Sequence, residues 1–431
     1  MTKNIASLII AFFLLFSPLC LAEEEYDAYY KNYEEFVRVV KLIQEKYVKE
    51  TKLREIFQGA YRGMLEGLDP YSQFFGPDEL DELKVETEGK FGGLGIEVIV
   101  KDGTLYVLTP ILDSPAFRAG VMVGDRIVKI EGMSTERMSL KEAVKHLRGE
   151  PNTSVTISVV HLGESEPVDV TIVRDIIQVH SIRGARLVDE EAKIGYLSLI
   201  SFQDNTLEEM DKAFYELLNK GMKSLILDLR FNPGGLLNMA VAVSDRFISN
   251  GVIVSTKGRD EEQNQVYLAT GSGTYPDLPL IILINNGSAS ASEIVAGAIR
   301  DHKRGLLVGT KTFGKGSVQS LIAVEEEHCA LKLTTALYYT PSGISINEIG
   351  VEPDVKVELT PAETKQLHGH LNKANIIRPS AEKPQEEEKF VDLQLQRAIE
   401  ILKEGKLSSY LLTSVGETQE VPLQKNANPG Y

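Results

Sequence analysis

Between residues 180 and 360 short apolar runs alternate with helical patterns, and few folds accept that order. The pattern predicts strands at Ile194–Leu199, Leu225–Leu229, Leu280–Ile284 and Leu306–Val308, and helices at Asn205–Asn219, Leu236–Ile248 and Ser290–Asp301. A strand–helix alternation of this kind implies an α/β layered core with its active loops at strand ends. After Lys315 the pattern returns to β, over Val318–Val324 and Ala330–Tyr339.

The rest of the chain follows other rules. Residues 26–83 read as helical, with Phe36, Val39, Val40 and Ile43 in one stripe and Leu53, Ile56, Phe57, Ala60 and Met64 in a second. Leu68-Asp69-Pro70-Tyr71-Ser72 ends that second helix. From 88 to 175 short strands and glycine turns predict a compact β module with one main helix, Ser139–Leu147. Pro379 to Glu388 reads as a linker and Phe390–Leu402 as one amphipathic helix, with a disordered tail over 404–431. The expected organisation is therefore a leader over 1–22, a helical region over 23–87, the β module over 88–175, the core over 176–360, and a linker with its helix over 361–403.

The first residues combine Lys3, an apolar stretch Leu8–Phe16 and small residues before Glu23-Glu24-Glu25, the parts of a secretory signal cleaved after Ala22. The protein is therefore expected to be exported, periplasmic or otherwise extracytoplasmic, and membrane-associated only transiently unless the signal is retained as an anchor. A lipoprotein reading through Cys20 is weaker, because bulky Leu19 precedes it. Once Cys20 is removed, Cys329 is the only cysteine, so no intrachain disulfide forms; its place in an alternating run marks it as a buried structural thiol. A net charge of −16 makes the chain a poor match for nucleic acid or an anionic membrane.

Residues 285–293 read Asn-Asn-Gly-Ser-Ala-Ser-Ala-Ser-Glu, between an apolar run and a helical pattern. Ser290 and Glu293 fit a capping box, and Ser288 is an alternative cap. The functional reading needs a base, since a serine hydroxyl is a weak nucleophile until its proton is taken. Phe313-Gly314-Lys315-Gly316 supplies one, provided Lys315 is neutral near pH 7. Gly314 and Gly316 let the backbone of Lys315 approach another loop, or else mark an ordinary surface turn. Gln319, four residues on, could hold the amine without adding a negative charge.

Such a serine also needs amide donors for an oxyanion. The Ala291 N–H, at a helix N-terminus, is one source. The paired glycines of Asp228-Leu229-Arg230-Phe231-Asn232-Pro233-Gly234-Gly235, at another strand end, are the second. Other chemistries fail on residue type. Gly309–Lys315 matches a phosphate-binding loop up to its lysine, but Gly316 stands where serine or threonine must follow, and a strand follows where a helix is needed. His302 lies about three turns down the serine helix, and no zinc spacing of histidines or cysteines occurs, so no metal or other cofactor is expected. Asp301 and Glu293 read as capping and linking residues.

Taken in this order, the three motifs resemble those of the C-terminal processing peptidases, or tail-specific proteases, serine endopeptidases with a Ser-Lys pair. The resemblance runs over about residues 34–402 and includes Leu-Asp-Pro-Tyr-Ser and the Gly-Val-Glu-Pro-Asp of 350–354. It implies Ser290 as nucleophile, Lys315 as base, Gln319 as its partner, and the amides of Gly235 and Ala291 as oxyanion donors, with Gly234 the alternative to Gly235. The module over 88–175 resembles a PDZ domain, whose carboxylate loop matches Gly93-Leu94-Gly95-Ile96 before Ser-Pro-Ala, Ala-Gly-Val and Gly-Asp-Arg-Ile. Leu94 and Ile96, with Ala143, Val144 and Leu147, would form its apolar pocket.

The fold class implied is α/β multidomain: an N-terminal helical segment, a PDZ domain, an α/β layered peptidase core resembling the ClpP/crotonase type, and a C-terminal helix. The implied function is an endopeptidase that captures protein substrates ending in small or apolar residues and cleaves them through an acyl-enzyme. Arg148 is a candidate for coupling PDZ occupancy to the active site, and the terminal helices suggest a homodimer. Two rivals differ in class. One is a catalytically silent PDZ adaptor presenting tails to another protease, which the Ser-Lys-Gln set disfavours. The other is an acyl-CoA-type enzyme on a similar core, which leaves the PDZ module unexplained.

Overall fold

The computed structural model describes residues 29–111, 113–324, 328–373 and 390–413. The leader over 1–22, the Pro379–Glu388 linker and the tail beyond 413 lie outside the described residues. No helix among the described residues is long and apolar enough to cross a membrane. The chain divides into two compact units, Met1–Pro77 with Ser320–Thr334, and Asp78–Gln319 with Thr335–Tyr431. The inclusion of residues 320–334 in the first unit was not expected from sequence.

In the first unit, helices over 29–46 and Leu53–Glu66 precede the short strand Gln73–Phe75. The break between helix and strand is chemical. Asp69 accepts the N–H groups of Tyr71 at 2.7 Å and Ser72 at 2.9 Å, so its side chain replaces the helical partners those amides would otherwise need. The strand pairs antiparallel with residues 330–332 over a small core of Leu65, Phe74 and Cys329. Cys329 is 2% exposed, a buried structural thiol.

The second unit holds the PDZ module and the α/β core. In the PDZ module the strand Ile96–Lys101 is the sheet's edge, followed in order by Thr104–Pro110, Arg126–Ile130, Ser154–Val160 and Val168–Val173. Helix Leu140–Leu147 starts with a full capping box between Ser139 and Glu142, and Ala143 and Leu147 pack into the module's core. A separate antiparallel pair, Lys90–Gly93 with Asp175–Gln178, closes the module where chain enters and leaves it.

The core sheet runs Ile182–Asp189, Ile194–Leu199, Ser224–Asp228, Leu280–Ile284, Leu306–Gly309, Val355–Lys356, with only the first pair antiparallel. Alternate residues face opposite sides. Leu225, Leu227 and Ile282 pack against helices Thr206–Asn219, Leu237–Asp245 and Ala291–Asp301. Ile226, Ile281 and Leu283 pack against Ala398 and Ile401 of helix Leu393–Lys403. A sheet covered on both faces explains runs that are apolar at every position.

Two C-terminal expectations need correction. The tail was read as disordered from 404, yet Leu407–Thr413 is a helix, because Leu407, Tyr410 and Leu411 bury against the sheet's far face. Pro361–Lys373, read as part of a linker segment, is also a helix. The antiparallel edge strand Ile182–Asp189 and the strand Val252–Gly258 carried no clear sequence signal.

Candidate active site

Three loops leave the carboxyl ends of adjacent parallel strands: Leu229–Leu236 after Ser224–Asp228, Asn285–Ser290 after Leu280–Ile284, and Thr310–Gly316 after Leu306–Gly309. That edge is where open α/β sheets place their ligands.

The two serines of the middle loop, and Ser292 in the first turn of the helix after it, do not share one environment. Ser288 and Ser292 are fully buried; their hydroxyls donate to the carbonyls of Leu229 at 2.8 Å and Asn232 at 3.0 Å. Both therefore stitch the serine loop to the first loop. Ser290 is only half-buried and caps helix Ala291–Asp301 at φ 55°, ψ −114°. A serine there carries about 1–3 kcal/mol of backbone strain, which persists only where surrounding contacts impose it. The Glu293 N–H is taken by the Ser290 carbonyl at 2.8 Å, so the hydroxyl is not needed as its acceptor.

Glu293 organises the site. It is fully buried, and its carboxylate accepts four hydrogen bonds. Oε2 takes the N–H of Ser290 at 2.9 Å and of Lys315 at 2.9 Å; Oε1 takes the N–H of Gly314 at 2.7 Å and the Thr312 hydroxyl at 2.6 Å. Thr312 Oγ1 in turn accepts the Val351 N–H at 2.7 Å, which orients its proton toward Glu293. Four donors on two oxygens fit the ionised carboxylate. Burial pushes the Glu293 carboxyl up, the donors pull it back, and the balance lies above its ordinary value. Sequence reasoning assigned Glu293 to capping; the structure gives it the lysine loop as well.

The main chains of Ser290 and Lys315 thus share one carboxylate oxygen. Their carbonyls share a partner too: the Tyr338 hydroxyl reaches Ser290 O at 3.2 Å and also contacts Lys315 O. Lys315 is half-buried, and its flanking glycines are required by proximity. A Cβ on Gly316 would lie 2.3 Å from Asn347 N, and the carbonyl of Gly314, at φ 95°, accepts the Glu348 N–H at 2.7 Å. Gln319 lies in the strand Ser317–Val324, where its Nε2 donates to Ser317 Oγ at 2.9 Å.

Gly234 and Gly235 differ in what their N–H groups meet. The Gly234 N–H donates to Asn232 Oδ1 at 2.8 Å, whereas among the described residues no hydrogen bond claims the Gly235 N–H. Both residues lie close to their surroundings: a Cβ on Gly234 would meet Ser290 Cβ at 2.8 Å and Ala291 N at 2.9 Å, and one on Gly235 would meet Phe202 O at 2.1 Å. Fully buried Asn232, which sequence reading passed over, anchors this turn by donating to Leu199 O at 2.8 Å and accepting the Ala289 N–H on its own carbonyl at 3.0 Å.

Behind the loop sits a buried ion network. Arg230, 3% exposed, donates to Asp228 through Nε at 2.9 Å and to Asp392 at 2.9 and 2.7 Å. Asp392 also caps helix Leu393–Lys403 through the Leu395 N–H at 3.0 Å. Burial would raise the Asp392 carboxyl, but the pairing with Arg230 outweighs it and holds the group below its ordinary value. The Tyr196 hydroxyl donates to Asp228 at 2.8 Å; burial first, then that carboxylate, push its pKa up.

His302 lies apart from this site, with Nε2 at 2.7 Å from Val252 O, and Asp301 accepts the Ser342 N–H at 2.9 Å. In the PDZ module Leu94 at 2% and Leu147 at 5% exposure are already packed in the core, while Ile96 and Val144 remain half-exposed beside the edge strand. Gly93 pairs with Asp175, and Gly95 takes φ 73° with the position of a Cβ 2.3 Å from that of Ser114. The Arg148 guanidinium lies 4.6 Å from the centre of the Phe91 ring, on the strand pair that closes the module.

Comparison with known proteins agrees with this architecture. Residues 193–357 match the peptidase family S41, and residues 106–160 match a PDZ domain. A carboxy-terminal-processing protease of Bartonella bacilliformis is 43% identical over 333 residues, covering 76% of each chain. A carboxyl-terminal-processing protease of Synechocystis sp. is 36% identical, covering 74% of this chain and 75% of its own length. A solved Bacteroides fragilis structure, provisionally described as an S41 protease, is 16% identical with a TM-score of 0.50, covers 85% of this chain and 97% of its own, and shows the fold alone. The chain is a serine-type peptidase of family S41. Within that family it belongs with the carboxy-terminal-processing proteases.

Proposed function

We propose that this peptidase cleaves exported proteins by a Ser-Lys mechanism after its PDZ module has captured their C-terminal tails. The observation that supports this most is the shared carboxylate oxygen of Glu293, which fixes the backbones of Ser290 and Lys315 side by side. In the first half-reaction Ser290 Oγ attacks the scissile carbonyl while neutral Lys315 Nζ takes its proton. The N–H groups of Gly235 and Ala291 hold the oxyanion. Collapse expels the amine, which leaves with the proton from Lys315, and the acyl group stays on Ser290. Lys315 then takes a proton from water, hydroxide attacks the ester, and the released serine recovers its proton. Gln319 orients the lysine amine.

Substrate selection follows from the PDZ edge strand Ile96–Lys101, which can accept a tail as an added strand with its carboxylate against Gly93-Leu94-Gly95-Ile96. Half-exposed Ile96 and Val144 favour a small or apolar terminal residue. In this reading Arg148, whose guanidinium lies over the Phe91 ring at the module's closing strands, transmits occupancy. Export through the apolar leader, with only transient membrane contact, and a homodimer formed through the terminal helices belong to the same reading. The test is cleavage of a purified substrate with an apolar tail: Ser290→Ala and Lys315→Ala should each abolish it, and an active Lys315→Ala enzyme would refute the mechanism.

A further inference from the structure

We infer that Tyr338 is a positioning residue for the Ser290–Lys315 pair, an inference that rests on the Ser-Lys reading. Glu293 joins the two residues by their amides only, on one oxygen. A single shared acceptor fixes the spacing of two N–H groups but lets each peptide plane pivot about it. The Tyr338 hydroxyl supplies the second fixed point, since it contacts the carbonyls of the same two residues, Ser290 and Lys315. One proton on the hydroxyl is shared between two acceptors, so the pair of carbonyls must stay close together for either bond to survive.

The ring is held for this task. Tyr338 is 2% exposed and belongs to the main core cluster beneath the site. Its backbone is fixed from both directions: residues 336–339 pair antiparallel with 255–258, and the Tyr338 N–H donates to Gly316 O at 2.9 Å, one residue past the lysine. A packed ring on a paired strand moves little, so its hydroxyl is a rigid reference between the serine loop and the lysine loop. Nothing in the sequence marks it, because an apolar-looking tyrosine in an alternating strand reads as core. The strain at Ser290, φ 55° and ψ −114°, makes such a reference necessary: without it the turn can relax toward an ordinary cap and carry the nucleophile away from its base.

The test is Tyr338→Phe, which keeps the ring and deletes only the hydroxyl, assayed with Ser290→Ala and Lys315→Ala in parallel. All proteins are measured at a temperature where circular dichroism shows each folded. The expected result is a fall in kcat of about 10–100-fold, as for a misplacement near 1 Å, with KM within about twofold. The acid limb of kcat/KM should also move to higher pH, because a loosened Lys315 gains water and binds its proton more tightly. Unchanged kcat, an equal loss in kcat and binding, or a reduced kcat with an unmoved acid limb overturns the inference, as does a Tyr338→Phe chain that never folds. Cleavage surviving in Ser290→Ala or Lys315→Ala identifies failure of the Ser-Lys reading instead, whatever Tyr338→Phe does.

Discussion

Glu293→Gln isolates the carboxylate with almost no change of shape, and its effect can be worked out bond by bond. The native side chain accepts four hydrogen bonds, two on each oxygen. An amide has one oxygen, able to accept two, and an NH2 that accepts none. If the oxygen faces Ser290 and Lys315, the NH2 opposes the Gly314 N–H donor to donor and meets a Thr312 hydroxyl already accepting from Val351. If it faces the other way, both Ser290 and Lys315 lose their acceptor. The first orientation is the milder, and it still forfeits two bonds to a charged group at about 1.5–3 kcal/mol each. The expected loss of stability is therefore about 3–6 kcal/mol, a fall in Tm of roughly 6–24 °C. Because Gly314 adjoins Lys315, kcat should fall by about 100-fold in the protein that remains folded. Urea and thermal melts monitored by circular dichroism give the loss of stability and the shift in Tm, and steady-state cleavage of a tailed peptide gives kcat. A variant melting within about 2 °C of the parent with kcat within twofold would refute the bridging role of this carboxylate.

Three further outcomes follow from the geometry. Gly235→Ala places a Cβ 2.1 Å from Phe202 O, so the turn must shift and take its N–H with it; kcat should drop by about 100–1000-fold, and a steady-state assay returning parental kcat would remove Gly235 from the oxyanion site. Asp392→Asn should lower stability near neutral pH by about 1.5–3 kcal/mol in urea melts. The pairing that depresses the Asp392 pKa stabilises the fold above the ordinary value of 3.8 and is lost as pH falls through the lower folded value, so the gap between parent and variant must close in acid; a gap constant with pH would refute the assignment. Val144→Glu puts a charge beside the PDZ edge strand and should abolish discrimination between a substrate with a free apolar C-terminus and its amidated form, measured as the ratio of their kcat/KM values; an unchanged ratio places tail recognition elsewhere.

The core strands were legible because a sheet covered on both faces favours runs of apolar residues; Leu280–Ile284 is apolar throughout, and Ile194–Leu199 departs mainly at Ser198. The serine and lysine loops were legible because each joins a glycine-rich turn to such a strand. Elements stabilised by distant partners were not. Leu407–Thr413 is short and polar enough to read as tail, and only the sheet face beneath it makes it a helix. Ile182–Asp189 alternates imperfectly because its pairing slips between Ile182 and Ala185. At the site, residue types announced Ser290 and Lys315, but Tyr338, Asn232 and Thr312 act through partners distant in sequence, and local sequence holds no trace of such partners.

The grip of Arg230 on Asp392 has a consequence for the timing of assembly. The arginine behind the glycine turn belongs to the middle of the chain, its second carboxylate to a segment made some 160 residues later. While the nascent polypeptide stops short of that segment, one side of the sheet is bare hydrocarbon and the loop bearing Gly235 has lost half of its foundation. The turn bearing Gly235 therefore gains its second buried counter-charge only when Asp392 and the helix it caps have closed over the sheet.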